Sequence, residues 1–408
     1  LAGIGFELKR VLGRSGNLTS TVQALAGGVF IVAGPWLLTI LTMVALNQWA
    51  GESLSEGPLT FQAAVTYTYA FSLVLMGPLH FWFTRIVSDL LWEERPREAS
   101  WLLIWVLLGA VTLSAVLTGV LISGLPLTGL RDAAAFRWAW IALAATVNGL
   151  WVIMLFVSVL KWFGRILVVY TLGMALGLAL MSWWGLSFGI AGALAGLAAG
   201  HGLIILGLMG LCWAAHFPQP PQQPRAETWS SLLEHQWLVW GGFAYGLGIW
   251  TDKISFWFLR GTTVEGSGLF LFPVYDLIVY AASLSLIPGL LFFVVFTETS
   301  FAVSVLRFSQ SLLSRPYREI RKRQFELIHL AGTEWRRLAL FQAVVVLGVL
   351  TLLSLSAAGF NLPFAVGLAG SWAQLLLLAV LTFHYFLQQY RDAALVSFLF
   401  VGLGAGGM

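Results

Sequence analysis

Apolar stretches of about twenty residues, enough for an α-helix to cross roughly 30 Å of hydrocarbon, recur along the whole chain. Read as helices, they fall at about 20–47, 61–86, 100–123, 134–159, 165–185 and 188–214. After an interruption they resume at about 234–258, 270–297, 337–359, 363–389 and from 392 to the end. The interruption contains Pro218-Gln-Pro-Pro-Gln-Gln-Pro224. Its prolines break helical hydrogen bonding and its glutamines have no place in lipid, so this run is a linker and not a span. The pattern predicts an all-α integral membrane fold with eleven spanning helices.

The linker invites a search for internal symmetry, a common feature of transporters built from repeated helical bundles. Gly27-Gly28, Gly34 and Trp36 in the first helix are echoed at the same spacing by Gly241-Gly242, Gly248 and Trp250 in the seventh. The expected organisation is therefore two lobes: an N-terminal six-helix lobe over 1–215, a cytoplasmic linker over 216–233 and a C-terminal lobe over 234–408. Two matching lobes require 6+6 helices. Only eleven are visible and the last stops about 17 residues in, so the C-terminal lobe is expected to be truncated. The longest stretch without a span, 300–336, carries Arg315-Pro-Tyr-Arg-Glu-Ile-Arg-Lys-Arg323 followed by Phe325, Leu327, Ile328 and Leu330. This pattern predicts a cytoplasmic helix or helical hairpin, basic on one side and apolar on the other. Association with anionic headgroups is its first reading; docking of a cytosolic partner, or simply fixing topology, are the others.

Composition agrees with the pattern. Apolar residues make up 59% of the chain, charged residues 10%, and the mean hydropathy is +0.86, whereas a soluble domain carries about 25% charged residues. The net charge of +4 would suit a nucleic-acid binder, but its placement assigns it elsewhere. With the N-terminus in the cytoplasm, 18 of the 22 basic residues fall in inside segments, leaving Arg131, Arg137, Lys253 and Arg260 outside. That is the positive-inside signature, and nucleic acid is not an expected partner. The single cysteine, Cys212, excludes an internal disulfide. Lys9, Arg10 and Arg14 precede a full-length span with no small-residue cleavage site, so the first helix is read as retained.

Charges within spans are costly and usually face a cavity or a partner. Asp252 and Lys253 in the seventh helix and Asp276 in the eighth fall at similar depth from the outer side. A Lys253–Asp276 pair is geometrically plausible, either as a structural link between helices or as part of a transport pathway. Pro35, Pro78 and Pro288 interrupt helical hydrogen bonding within spans, as static kinks or as bending points. Aromatic rings stack on the C–H faces of sugars, which makes Trp36, Tyr67, Tyr69, Trp250, Tyr275 and Tyr280 candidate pathway contacts; interfacial belts and core packing are the alternatives. His80, His201 and His384 stand alone and read as interhelical hydrogen-bond partners.

Catalytic chemistry has no foothold in the pattern. The aspartates at 89, 132, 252, 276 and 392 are scattered, Glu93-Glu94 sits beside Arg95, and no metalloprotease, phosphate-loop or serine-elbow motif occurs. Neither a metal nor a cofactor is expected. The energy for transport would come from an ion gradient, a partner or growth of the polymer itself.

Several blocks resemble the PelG family of Pel exopolysaccharide transporters: Ala2-Gly-Ile-Gly-Phe-Glu-Leu-Lys9, Ala33-Gly-Pro-Trp36, Trp250-Thr-Asp-Lys253, Tyr275-Asp276, Leu284-Ser-Leu-Ile-Pro-Gly289 and Glu298-Thr299. They lie in order over residues 2 to about 300; the final hundred residues add only hydropathy. Two features depart from the family, Leu1 in place of an initiator Met and the end before a twelfth helix. The resemblance implies a member of the multidrug/oligosaccharidyl-lipid/polysaccharide flippase superfamily, two-lobed, with a central cavity and alternating access in the bacterial inner membrane. It also implies a galactosamine-rich polysaccharide as cargo. The implied partners are membrane lipid, a cytosolic glycosyltransferase and cyclic-di-GMP-responsive synthase subunits. A lipid-linked oligosaccharide flippase, a cation-coupled drug exporter and a non-transporting scaffold of a synthase complex remain as alternatives.

Overall fold

The computed structural model describes residues 39–40, 42, 44–46, 48–54, 57–157, 162–216, 221–355 and 362–406. Seven stretches among them are long and apolar enough to cross a membrane. The helices are α1 Pro58–Trp92, α2 Pro96–Ser123, α3 Ala133–Val157, α4 Phe163–His216, α5 Ala226–Glu234 and α6 Gln236–Arg260. A two-stranded hairpin follows, β1 Thr262–Val264 and β2 Leu269–Leu271. Beyond it come α7 Pro273–Ser283, α8 Leu286–Phe292, a π-helical turn Phe293–Glu298, α9 Thr299–Ser314, α10 Tyr317–Leu355, α11 Leu362–Phe386 and α12 Tyr390–Gly406.

Helix α4 runs for 54 residues but leaves helical geometry at Gly189, where φ is 65° and ψ −151°. A residue with a Cβ is strained there, and glycine is not. The two arms fold back on each other, and glycines let their backbones touch. A Cβ at Gly200 would meet Gly177, one at Gly196 would meet Met181, and one at Gly173 would meet Ile204. Each step forward on one arm is matched by a similar step back on the other, which is antiparallel register. The expected division into helices at 165–185 and 188–214 is the observed one, turned at Gly189.

The chain forms two compact units. One holds the described residues up to Phe272 together with those from Ala394 onward; the other holds Pro273–Ala393. This division does not follow the linker. Helix α6, beyond the linker, packs along α1: a Cβ at Gly77 would meet the Gly242 carbonyl, and one at Gly246 would lie 2.6 Å from the Leu73 carbonyl. Helix α12 joins α6 through Phe400, which occupies the space a Cβ at Gly248 would need. The hairpin strengthens the attachment. It pairs Thr262 with Leu271 and Val264 with Leu269, and the Thr128 N–H, in the α2–α3 turn, donates to the Gly266 carbonyl at 2.8 Å. The helices expected at 234–258 and 270–297 left only a gap here, and the second overlaps β2, although Thr-Thr-Val and Leu-Phe-Leu flanking Glu-Gly-Ser-Gly are a hairpin signature.

Within this unit, two apolar clusters lie along the helices. One gathers Phe83, Leu103, Ile153, Phe156 and Ile204; the other gathers Phe61, Phe136, Leu143, Met181 and Leu194. Between them lies a polar layer. Trp140 Nε1 donates to Thr68 Oγ1 at 2.9 Å, Trp151 Nε1 to Ser72 Oγ at 3.0 Å and Asn148 Nδ2 to Ser114 Oγ at 2.7 Å. In lipid such pairs fix which face of each helix meets which.

At one end of the unit, Glu98 is 3% exposed and holds the linker in place. Arg95 grips its carboxylate with both Nε and Nη2, at 2.8 and 2.6 Å. The backbone N–H of Arg225 reaches it at 3.0 Å, and the Gln222 N–H donates to the Arg97 carbonyl at 3.1 Å. The part of the Pro/Gln-rich segment from residue 221 is therefore a fastened strap.

The other unit is built on two long helical paths. Residues Pro273–Ser314 form one path of 42 residues, and α10 is a single helix of 39. The expected 300–336 segment is a helical hairpin turning at Arg315-Pro316, and its arms continue directly into the spans. It is not a separate helix lying along the surface. Phe301 packs on Phe383 with ring centroids 4.4 Å apart, and Trp335 Nε1 donates to the Leu376 carbonyl at 3.4 Å.

Three substitutions test this packing. Gly200→Leu forces the arms of α4 apart and is expected to cost about 2 kcal/mol or more, read as a lower unfolding midpoint in detergent. Gly202→Leu, where a Cβ meets nothing within 4 Å, should leave the midpoint nearly unchanged. Glu98→Ala removes the bidentate acceptor of Arg95, which keeps Glu93 at 2.6 Å, and the acceptor of the Arg225 N–H, and is expected to cost about 1–3 kcal/mol. The freed strap should also be cut faster by trypsin at Arg225.

Candidate functional site

Of the sequence candidates on α1 and α6, Tyr67 and Trp250 meet in one aromatic cluster. Tyr67 stacks on Trp257 with centroids 4.9 Å apart and planes at 18°, and Trp250 sits 6.1 Å from Trp257. The Tyr67 hydroxyl donates to the Phe270 carbonyl at 3.0 Å, tying α1 to β2. Trp250 is 5% exposed and Trp257 fully buried, so in this conformation both rings pack against protein. Trp257 was not among the sequence candidates; its seven-residue spacing from Trp250, two helical turns on the same face, was the available signal. Trp36 and Pro35 lie outside the described residues.

Lys253 follows directly on α6, 8% exposed. Its Nζ donates to the Ile249 carbonyl at 2.9 Å, contacts Asp252 Oδ1 at 3.2 Å and lies 5.2 Å from the Trp250 ring centroid. A carboxylate, a carbonyl dipole and a π face together compensate a cation that lipid would not tolerate. The Asp252 side chain keeps 31% of its surface exposed, while Lys253 is nearly enclosed. The two form an adjacent pair with its negative end outermost. Asp276, the partner considered from the sequence, belongs to the other compact unit and is itself buried.

Tyr69 belongs to the polar layer. Its hydroxyl lies 2.6 Å from His201 Nε2, and His201 Nδ1 lies 2.8 Å from the Leu197 carbonyl. A carbonyl can only accept, so Nδ1 carries the proton and Nε2 receives the tyrosine hydroxyl. This bond joins α1 to the second arm of α4. His384 instead bonds within its own helix, to the Val380 carbonyl at 2.8 Å.

In the other unit, Tyr275 is half-buried on α7 and Tyr280 is exposed. The helix breaks at Leu284-Ser285, and Pro288 is the third residue of α8, after the break. A proline at that position lacks an N–H that the first turn would leave unused. Gln342, fully buried on α10, donates to the Ser285 carbonyl at 2.8 Å. Gly289 leaves room for the amide, since a Cβ there would meet Gln342 Oε1. One π-helical turn further on, Thr297, Glu298 and Thr299 are all buried; such turns often mark functional positions. Pro78 lies within α1 and does not end it, and Gly77 beside it is where α6 makes its closest approach. Gln342 and Glu298 were missed as site residues, although Gln342 stands out as a lone amide in the apolar run Phe341–Val346. Among the described residues, no three His, Cys, Asp or Glu side chains come together in a group that could hold a metal ion.

Gln342→Leu removes the donor at the helix break and is expected to cost about 1–2 kcal/mol, whereas Tyr67→Phe, which removes only the hydroxyl, should cost about 1 kcal/mol. Thermal unfolding of the purified variants in detergent measures both.

This arrangement, an apolar helical bundle with internal breaks and buried charges, has recognisable relatives. The family model PelG, described as "Putative exopolysaccharide Exporter (EPS-E)", matches residues 1–406. Among solved structures, the chain is similar to an outward-facing multidrug resistance MATE family transporter of the MOP superfamily, with a TM-score of 0.53 and 13% identity, covering 93% of this chain and 84% of that one. A MATE structure in complex with Br-NRF is similar at a TM-score of 0.52 and 12% identity, covering 93% and 96%. At such identities the likeness establishes the fold. A comparison with curated proteins gives no match. With its family model matched from Leu1 to Gly406 and a transporter fold across its spans, the chain belongs to the PelG exopolysaccharide exporter family of multi-pass membrane proteins.

Proposed function

We propose that this protein carries a Pel-like, amino-sugar-rich polysaccharide from the cytoplasm to the periplasm across a bacterial inner membrane. The observation that carries this reading is the family match over residues 1–406 on a fold similar to MATE transporters. The positive-inside count supports a cytoplasmic N-terminus, because 18 of the 22 basic residues then face the cytoplasm. Export proceeds by alternating access or by passage of the growing polymer, beside a cytosolic glycosyltransferase and cyclic-di-GMP-responsive synthase subunits. The halves 1–215 and 234–408, joined by 216–233, are the transporter's two lobes as repeats along the sequence, a division distinct from the two compact units of the fold.

The residues assigned to the pathway are Trp36, Tyr67, Tyr69, Trp250, Asp252, Lys253, Tyr275, Asp276 and Tyr280. Their rings present flat apolar faces to sugar C–H groups, and their charged groups meet amino or hydroxyl substituents. Since Trp250 is packed in this conformation, its ring reaches cargo only when the surrounding helices separate. The helix break at Leu284-Ser285, with its carbonyl held by Gln342, is a place where such a movement can begin without exposing an unbonded backbone to lipid.

The test is export of radiolabelled polymer into sealed vesicles holding this protein and its glycosyltransferase. Polymer should accumulate in a protease-protected lumen only when the transporter is present. Replacing both Lys253 and Asp276 with Leu is expected to lower export at least about tenfold, or roughly 1.4 kcal/mol on the transport barrier, with the amount of inserted protein unchanged. Full export by that variant would remove both residues from the pathway. Transport of lipid-linked oligosaccharides or cationic drugs, with no effect on polymer, would replace the exopolysaccharide reading with one of its relatives.

A further inference from the structure

A tryptophan buried in a helical bundle carries one polar atom, the indole N–H, and burial demands an acceptor for it. Several indoles among the described residues find one. Trp140 donates to Thr68 Oγ1 at 2.9 Å and Trp151 to Ser72 Oγ at 3.0 Å. Trp335 and Trp372 reach the backbone carbonyls of Leu376 and Ala339, at 3.4 and 3.2 Å. Trp82 and Trp250 do not: their Nε1 atoms are enclosed and meet no acceptor.

The two stand in different surroundings. Trp82 borders the apolar cluster of Phe83 and Phe156, which contains no residue assigned to the pathway. Trp250, 5% exposed, sits where α6 and the hairpin meet α1, in a cluster with Ala70, Leu73, Val74, Trp257 and Phe270. The polar groups of this cluster are already engaged. The Tyr67 hydroxyl donates to the Phe270 carbonyl at 3.0 Å and receives the Phe270 N–H at 3.4 Å. Lys253 lies 5.2 Å from the Trp250 ring, but an ammonium has no acceptor to offer. A donor left without an acceptor keeps its desolvation penalty. The packing of α6 on α1 therefore carries a cost at Trp250 that its apolar contacts must offset.

We propose that the Trp250 indole N–H is a hydrogen-bond donor to an oxygen of the sugar chain, and that it gains this acceptor when α6 and α1 separate around cargo. The assignment rests on the export function proposed above. Sugars carry the matching chemistry, with hydroxyl and ring oxygens that accept beside C–H faces that stack on the same indole. A ligand shifts a conformational equilibrium only by its differential affinity for the two states. Trp250 supplies such a difference, because its N–H is unserved in the packed state and bonded in the cargo-bound one. An apolar cation could cover the ring but would leave the N–H unserved, so this position favours an oxygen-rich cargo.

Trp250→benzothienylalanine tests the donor alone, since a sulfur replaces the N–H and the ring keeps nearly the same shape. In detergent without cargo, the unfolding midpoint of this variant should equal or exceed that of the unchanged protein, because no bond is lost. In sealed vesicles holding the glycosyltransferase, export of radiolabelled polymer should fall about three- to tenfold, the worth of one hydrogen bond. Trp140→benzothienylalanine should lower the midpoint, because its bond to Thr68 is lost. Trp82→benzothienylalanine, which removes an unserved N–H outside the pathway, should leave midpoint and export unchanged. A lowered midpoint at Trp250 would show that its N–H already has an acceptor in the empty protein. Full export by that variant would show that cargo does not use the N–H, and an equal fall at Trp82 would remove its specificity. Each of these three results overturns the inference while polymer export by the unchanged protein stands. If the unchanged protein moves no polymer, the export reading fails first and this assignment falls with it.

Discussion

Inside hydrocarbon a backbone N–H or C=O has no water to turn to, and leaving one unbonded costs several kcal/mol. Much of this architecture follows from that constraint. Helices satisfy their own backbones, so they can be long, as in the 39 residues of α10. Wherever a helix must bend, break or turn, something specific has to receive the freed groups. At Leu284-Ser285 it is Gln342, which places a side-chain donor on the Ser285 carbonyl. At Gly189 the conformation itself excludes a Cβ, and the chain reverses so that two arms cover each other.

The same solvent removes the usual reason for helices to associate, since lipid tails are as apolar as leucine. Close backbone approach and a few polar pairs take its place. The glycines of α4, and Gly77 against Gly242, bring backbones into contact. The layer formed by Thr68, Ser72, Asn148, Trp140 and Trp151 lies between two apolar clusters and distinguishes one helix face from another where shape alone would allow several. Tyr69 and His201 belong to this layer. Their bond shows how a candidate pathway residue also serves as a helix–helix link.

Charge is handled by proximity. Lys253 is compensated within one helical turn, by Asp252, the Ile249 carbonyl and the Trp250 ring. Glu98 is compensated by Arg95 and by the linker that it fastens. At the turn between α9 and α10 the basic groups are mostly exposed, and among the described residues only Arg323 of those from Arg307 to Arg323 has a carboxylate partner.

Much of this protein was legible along the chain, because a hydrocarbon solvent reads hydropathy one residue at a time. The all-α class, the helix positions from 61 to 214, the linker and the basic hairpin all follow from local composition and periodicity. The resemblance blocks around Asp252, Asp276 and Pro288 likewise drew attention to stretches that carry buried charge or a helix break. Side-chain pairing and grouping were not legible, since both depend on which helices become neighbours. Sequence proximity alone could not show that α6 would pack on α1 through Gly77 and Gly242, that a hairpin would bind it to the α2–α3 turn, or that Trp257 would stack beneath Tyr67. Hydropathy determined which segments enter the membrane; contacts between residues far apart in the chain, settled by backbone fit and hydrogen-bond geometry, decided how those segments are grouped and which buried groups meet.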